Sequence, residues 1–261
     1  MQLMKEKGDW DVLPSLLTGL KNAKVWLSHR DFLSMVRKAG VAGRPDIIIE
    51  CARRVSDTKF ALNSEVIVAE LMWQLQDRAV KSDWAAKETR QALAWAEMVS
   101  ELMEEHLLNK QVPVAADRDP RFRHEVIGVL LQLSGVWATR YYNGEDRDGK
   151  VALYAERLLR SPVDITTATE PNSPSPYPSR VSAHDSNLYV AYKSPVLQGL
   201  KLAQSIYVAE GKALKEKTET LEAALAPHRK YLLSVGAPGG RGLQVYNDLL
   251  GPDAKIVVPK T

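Results

Sequence analysis

The side chains best placed to meet a ligand in this sequence are its basic clusters. Arg53 and Arg54 are adjacent near the end of one apolar segment, and Arg121, Phe122 and Arg123 precede a longer one. Arginines at a helix start add guanidinium charge to free backbone N–H donors and to the positive end of the helix dipole. That combination holds a phosphate. Phe122, between two arginines, offers a face on which an unpaired base can stack. Arg241 lies among Gly236, Gly239, Gly240 and Gly242, where the backbone can approach an RNA phosphate closely. The glycine spacing is not that of a Walker loop and no Lys-Ser or Lys-Thr follows, so a flexible turn explains these glycines as well. Arg53, Arg54, Arg121, Phe122, Arg123 and Arg241 are therefore the candidate RNA contacts. The competing reading is solvated charge, with Phe122 packed inward.

Catalytic and metal chemistry find little support. The histidines are His29, His106, His124, His184 and His228, and none forms the i, i+4 pair of a zinc-protease helix. They read as surface or capping residues, with His106 near a helix C-terminus where a positive charge is favoured. His184 and Asp185 lack a serine in a nucleophile elbow. Glu101, Glu104 and Glu105 read as the solvated side of a helix, because bundle metal sites need ligands that point inward. No catalytic residue, metal site or cofactor is expected.

Composition agrees. The chain has 261 residues, 45% hydrophobic and 26% charged, with a net charge of +3 and a pI near 8.8. This suits a soluble globular protein and permits contact with nucleic acid without demanding it. The single cysteine, Cys51, excludes an internal disulfide and a cysteine-built zinc site, and reads as a small buried apolar residue. No apolar run reaches the roughly 18 residues of a membrane span. The first residues lack a secretory apolar core, and Glu6, Asp9 and Asp11 do not suit an organellar presequence.

The elements that must position these residues are helices. In the helix over 125–142 only Gln132 and Ser134 are polar between Val126 and Ala138, so no face suits water and the helix must be surrounded by others. Asp119 and Pro120 suit its start, and Asn143 and Gly144 its end. Gly128 and Gly135 share one of its faces, which predicts close approach by a neighbour. Ser28 and Asp31 form a capping box before a helix ended by Gly40, and Pro45 opens its partner. Ser64 caps a segment with Glu65 and Glu70 near its positive end, followed by a long helix from about Asp83 to Leu108. Lys150 to Arg160 pairs with the central helix. Ser194 and Pro195 start a further hairpin whose first helix Gly211 ends, and a short helix falls near Leu243 to Leu250. Residues 161–182 are rich in Pro and Ser, include a minimal PxxP at Pro171 and Pro174, and read as a loop or linker. No alternation typical of a sheet occurs. The expectation is an all-α fold: an irregular α-solenoid of antiparallel hairpins over 1–160, the linker over 161–182, and a C-terminal hairpin with an extended tail over 183–261.

Phe32 to Gly40 (FLSMVRKAG) and Ala92 to Leu102 (ALAWAEMVSEL) resemble the helix patterns of tetratricopeptide and pentatricopeptide repeats. The interval between the hairpin starts at Ser28 and Ser64 is near the period of those families. The polar residues that read single bases in pentatricopeptide proteins have no counterparts here. The irregular, basic helical array also resembles the helical-repeat subunits of fungal mitochondrial ribosomes. That resemblance implies a non-catalytic, mitochondrial scaffold of a ribonucleoprotein, contacting protein subunits and ribosomal RNA phosphates, with no small-molecule substrate. The alternative is a protein-binding adaptor or assembly factor without RNA, for which a cytoplasmic location serves equally.

Overall fold

The computed structural model describes residues 7–108, 119–167, 183–236, 240–252 and 254–256. Eleven α-helices and no strand occur among them: α1 Leu13–Asn22, α2 His29–Val41, α3 Pro45–Arg53, α4 Val55–Thr58, α5 Glu65–Lys81, α6 Ala86–Leu108, α7 His124–Tyr141, α8 Lys150–Leu159, α9 Ala183–Ile206, α10 Gly211–Ser234 and α11 Arg241–Leu250. The all-α expectation holds. The linker over 161–182 and its PxxP lie largely outside the described residues, as does the tail beyond residue 256.

Local sequence sets most of the boundaries. Ser28 Oγ accepts from the Asp31 N–H at 3.3 Å, and the Asp31 carboxylate accepts from the Ser28 N–H at 2.8 Å, a reciprocal capping box. Ser64 Oγ accepts from the Ile67 N–H and starts α5. The chain stops in αL at Asn143 and Gly144 after α7. Gly40 does not end α2. It lies inside the helix, where a Cβ would fall 2.0 Å from the Gln74 side chain, and Gly43 (φ 70°) supplies the left-handed stop. Helix α6 begins at Ala86, later than Asp83, because Asp83 and Trp84 are both left-handed (φ 57° and 56°) and close the end of α5. Trp84 accepts that conformation while buried in the core.

Two further boundaries are set by packing against the local signal. Asp119 caps a 3-10 turn, Pro120–Phe122, and α7 itself starts at His124. Helix α9 does not begin at Ser194 but runs from Ala183 straight through Pro195. A proline inside a helix costs about 3 kcal/mol. Burial of residues on both sides of Pro195 offsets that cost, and the Ser194 hydroxyl donates to the Val190 carbonyl at 2.6 Å within the same turn. Gly211 opens α10; the preceding helix has already ended at Ile206.

Helix α7 lies against α9; α5, α6 and α8 pack on α7, and α10 and α11 pack on α9. The expected close approach is observed. A Cβ on Gly128 would lie 2.7 Å from Val196, one on Gly135 3.0 Å from Leu202, and one on Gly199 2.8 Å from the backbone nitrogen of Gln132. Each glycine costs about 1 kcal/mol relative to alanine in a helix interior, and close packing is the return. The buried apolar residues form one connected core from Trp10 to Ile256, drawing on both sides of residues 161–182. In a solenoid each repeat touches only its neighbours. Here α9 returns across the chain to pack on α5 and α7.

Candidate functional site

The arginines of the sequence separate into buried and exposed sets. Arg53 ends α3 with its side chain 53% exposed, 4.0 Å from Glu50; Arg54 follows at 42%, 3.8 Å from Asp57. Such exposed pairs, three residues apart and close to the 4 Å limit of an ion pair, hold a guanidinium weakly. Arg121 sits in the 3-10 turn before α7 and donates from Nε and Nη2 to both oxygens of Asp119 at 2.6–3.0 Å. Its guanidinium carbon lies 5.8 Å from the Phe122 ring, and Phe122 is 37% exposed. Arg121 and Phe122 thus form a small surface ledge whose charge is largely balanced by Asp119.

Arg123 is 3% exposed and lies beneath this ledge. Its guanidinium reaches Glu65 at 3.4 Å and Glu125 at 3.5 Å, while Lys193 Nζ sits 2.8 Å from the other Glu125 oxygen. The expected anion seat at the start of α7 is therefore interior, and Glu125, in the first turn, already supplies a negative charge to the positive helix end. Burial depresses the Lys193 ammonium, and Glu125 acts against that depression. His124, wholly buried in the same turn, is pushed down to about 3, first by burial and then by Lys193, so it is neutral at neutral pH.

Arg241 is likewise turned inward. It donates to both oxygens of Glu70 at 3.0 and 3.2 Å, and its guanidinium carbon stands 3.3 Å from the Trp73 ring centroid. Glu70 also accepts from Tyr192 Oη at 2.6 Å, Gln74 Nε2 at 2.8 Å and Arg37 Nε at 3.3 Å. Burial by itself would raise the Glu70 carboxyl. Arg241 and Tyr192 overcome that and hold it below its ordinary value. Gly242, next to Arg241, serves this docking: its N–H donates to Asn187 Oδ1 at 2.7 Å, and a Cβ there would lie 2.4 Å from the Asn187 carbonyl. Gly239 lies outside the described residues.

A third polar link joins Gln132 to Gln198 at 2.8 Å, and Gln198 to the Leu249 carbonyl at 2.8 Å. These contacts tie α7 to α9 and α9 to α11. Sequence reading placed Glu70 as a dipole partner at the start of α5; the signal for its buried role was its position inside an otherwise apolar turn with Gln74 four residues on. Two histidines are also internal: His124, and His106, whose Nδ1 accepts from the Leu62 N–H at 3.2 Å. Glu101, Glu104 and Glu105 are exposed, as a solvated face requires. Burial pushes the Cys51 thiol up to about 12, which leaves it unreactive at neutral pH.

A cleft of about 520 Å³ between α8 and α10 is lined by Glu156, Asp164, Glu210 and Glu216 with Arg160 and Lys217. Its acid excess disfavours phosphate. No metal-holding cluster occurs among the described residues, and none of the described helices is long and apolar enough to cross a membrane.

Residues 1–248 match the family described as mitochondrial ribosomal protein mS27. The chain is similar to the small ribosomal subunit protein mS27 of Neurospora crassa, 28% identical over 221 residues, which cover 78% of this chain and 56% of the relative. The chain thus spans little more than half the length of that relative. Because the match runs from before α1 into α11, the chain belongs to the mitochondrial ribosomal protein mS27 family.

Proposed function

We propose that this chain is a non-catalytic building block of the small subunit of the mitochondrial ribosome, acting by shape and surface charge. The observation that carries this reading is the family match over residues 1–248. The geometry supports it: the ion pairs of Arg123 with Glu65, Lys193 with Glu125 and Arg241 with Glu70 tie helix to helix. Contact with ribosomal RNA then falls to Arg53, Arg54 and the Arg121–Phe122 ledge, where exposed guanidinium groups meet phosphates without reading sequence. Arg123 and Arg241 support the surface from beneath and do not themselves contact RNA.

A second reading, a protein-binding adaptor without RNA, draws on one observation: several of the basic side chains nearest the candidate RNA surface are neutralised by Asp119, Glu65, Glu125 and Glu70. Sedimentation of mitochondrial extracts before and after nuclease treatment separates the two. A ribosomal component travels with the small subunit and leaves that position when the RNA is digested. An adaptor keeps its protein partners after digestion, and that outcome removes the RNA contact.

A further inference from the structure

A groove of about 660 Å³ opens where the end of α1, the α1–α2 link, α4 and the α4–α5 link converge. Its floor is apolar, with Leu17, Leu20, Leu27, Phe32 and Ile67. Trp26, on its rim, is 85% exposed, and Val25 beside it is 51% exposed. An isolated exposed apolar residue is ordinary, but an exposed indole beside an open apolar floor marks a contact surface.

The charge at this groove has one sign. Lys21, Lys24, Lys59 and His29 line it, and no carboxylate among the described residues does. Lys21 donates to the Ser56 carbonyl at 2.8 Å and joins α1 to α4. Lys24 and Lys59 are different. Both are exposed, and both stand in the left-handed region, at φ 58° and 61°, just past the ends of α1 and α4. Glycine is the residue that such positions ordinarily take, as Gly43 does after α2. Two lysines in glycine positions, both on the rim of one groove, place charge there at a conformational cost.

We propose that this groove docks an acidic segment of a protein neighbour, with large apolar side chains on the floor beside Trp26 and carboxylates facing Lys24 and Lys59. The floor, aliphatic but for Phe32, favours a peptide over RNA, since its side chains offer no hydrogen bonds to base edges or to a sugar–phosphate chain, whereas apolar side chains lose water there favourably. The inference goes beyond the proposed function. Its variants leave Arg53, Arg54 and Arg121 intact, so either reading can fail without the other.

The test titrates the full chain against three labelled probes of about a dozen units: a peptide of Asp and Glu with Leu and Phe at helical spacing, the same peptide with Lys for each acid, and oligouridine. The acidic peptide should bind. Trp26→Ala, or Trp26→Gln as a second variant, and the pair Lys24→Gly with Lys59→Gly should each weaken it by about tenfold or more. Glycine suits both left-handed positions, so the lysine pair should not lower Tm. Four outcomes overturn the proposal: no binding of the acidic peptide, equal binding of the basic one, oligouridine binding that Trp26→Ala abolishes, or self-association that Trp26→Ala abolishes. A lower Tm with unchanged peptide affinity in the lysine pair also overturns it, since those lysines would then serve only the helix ends.

Discussion

The centre of the molecule and its N-terminal edge treat positive charge in opposite ways. Around α5, α7, α9 and α11, Arg123, Lys193 and Arg241 are drawn inside and matched to Glu65, Glu125 and Glu70. Along α1 to α4, Arg53 and Arg54 meet carboxylates only at 3.8–4.0 Å, and Lys24 and Lys59 stand exposed on the groove. Charges taken out of water must be paired, whereas charges left in water are worth little to the fold and are free to meet a partner. Depth thus separates Arg123, Lys193 and Arg241, which tie helices together, from Arg53, Arg54, Lys24 and Lys59, which face solvent.

The largest test of that division is Glu125→Ala. It leaves Lys193 and Arg123 buried beside a lost counter-charge, and breaking such a pair should cost about 3–5 kcal/mol in a urea unfolding experiment. Glu125→Leu combined with Lys193→Met should recover much of the loss, because an apolar pair needs no counter-charge. A cost below about 1 kcal/mol for Glu125→Ala would mean that water reaches the site and that the buried cluster does not hold α7 to α9.

Acidity probes the same centre. His124 has its folded value depressed to about 3 against an ordinary value near 6.5. Its neutral form therefore favours the fold above pH 6.5, and stability is lost as pH falls from 6.5 toward 3, while the unfolded chain binds the extra proton. The slope should approach about 1.4 kcal/mol per pH unit in that window. Glu70, also held below its ordinary value, adds a loss of the same sign, beginning only below about pH 4.5. His124→Phe should reduce the slope between pH 6.5 and 4.5, leaving the part that His228, also lowered by burial, contributes, and should leave the fall below pH 4.5 in place. An unchanged slope would place the histidine in water.

How far this was legible in the sequence follows from the same physics. Helix α7 declared itself by having no face suited to water, and Gly128 and Gly135 announced a close neighbour. Ser28 with Asp31 and Ser64 stood where local hydrogen bonds alone fix a helix start. Pro195 misled because its local cost is real and only the burial of its flanks outweighs it. The interior carboxylates were hidden for a further reason. Glu70 meets Arg241 across 171 positions and Tyr192 across 122, and spacing along the chain cannot reveal pairings of that range. Arg123 and Arg241 therefore looked like surface arginines until their partners were in place.

The smallest effect on folding should come from the edge, and there the two roles come apart most cleanly. Replacing both Arg53 and Arg54 by Gln removes two exposed guanidinium groups and should change unfolding free energy by no more than about 0.5 kcal/mol. If both touch phosphate, the dependence of RNA affinity on salt should flatten by about 0.7–0.9 per lost contact on a log–log plot. Arg241→Ala should do the reverse: it costs about 2–4 kcal/mol by stranding Glu70 and uncovering Trp73, and leaves the salt slope alone at temperatures where the chain remains folded. The pair of variants reads depth directly, since each lowers one quantity and spares the other. A flattened slope in Arg241→Ala with full stability would turn that residue outward and dissolve the distinction between centre and edge.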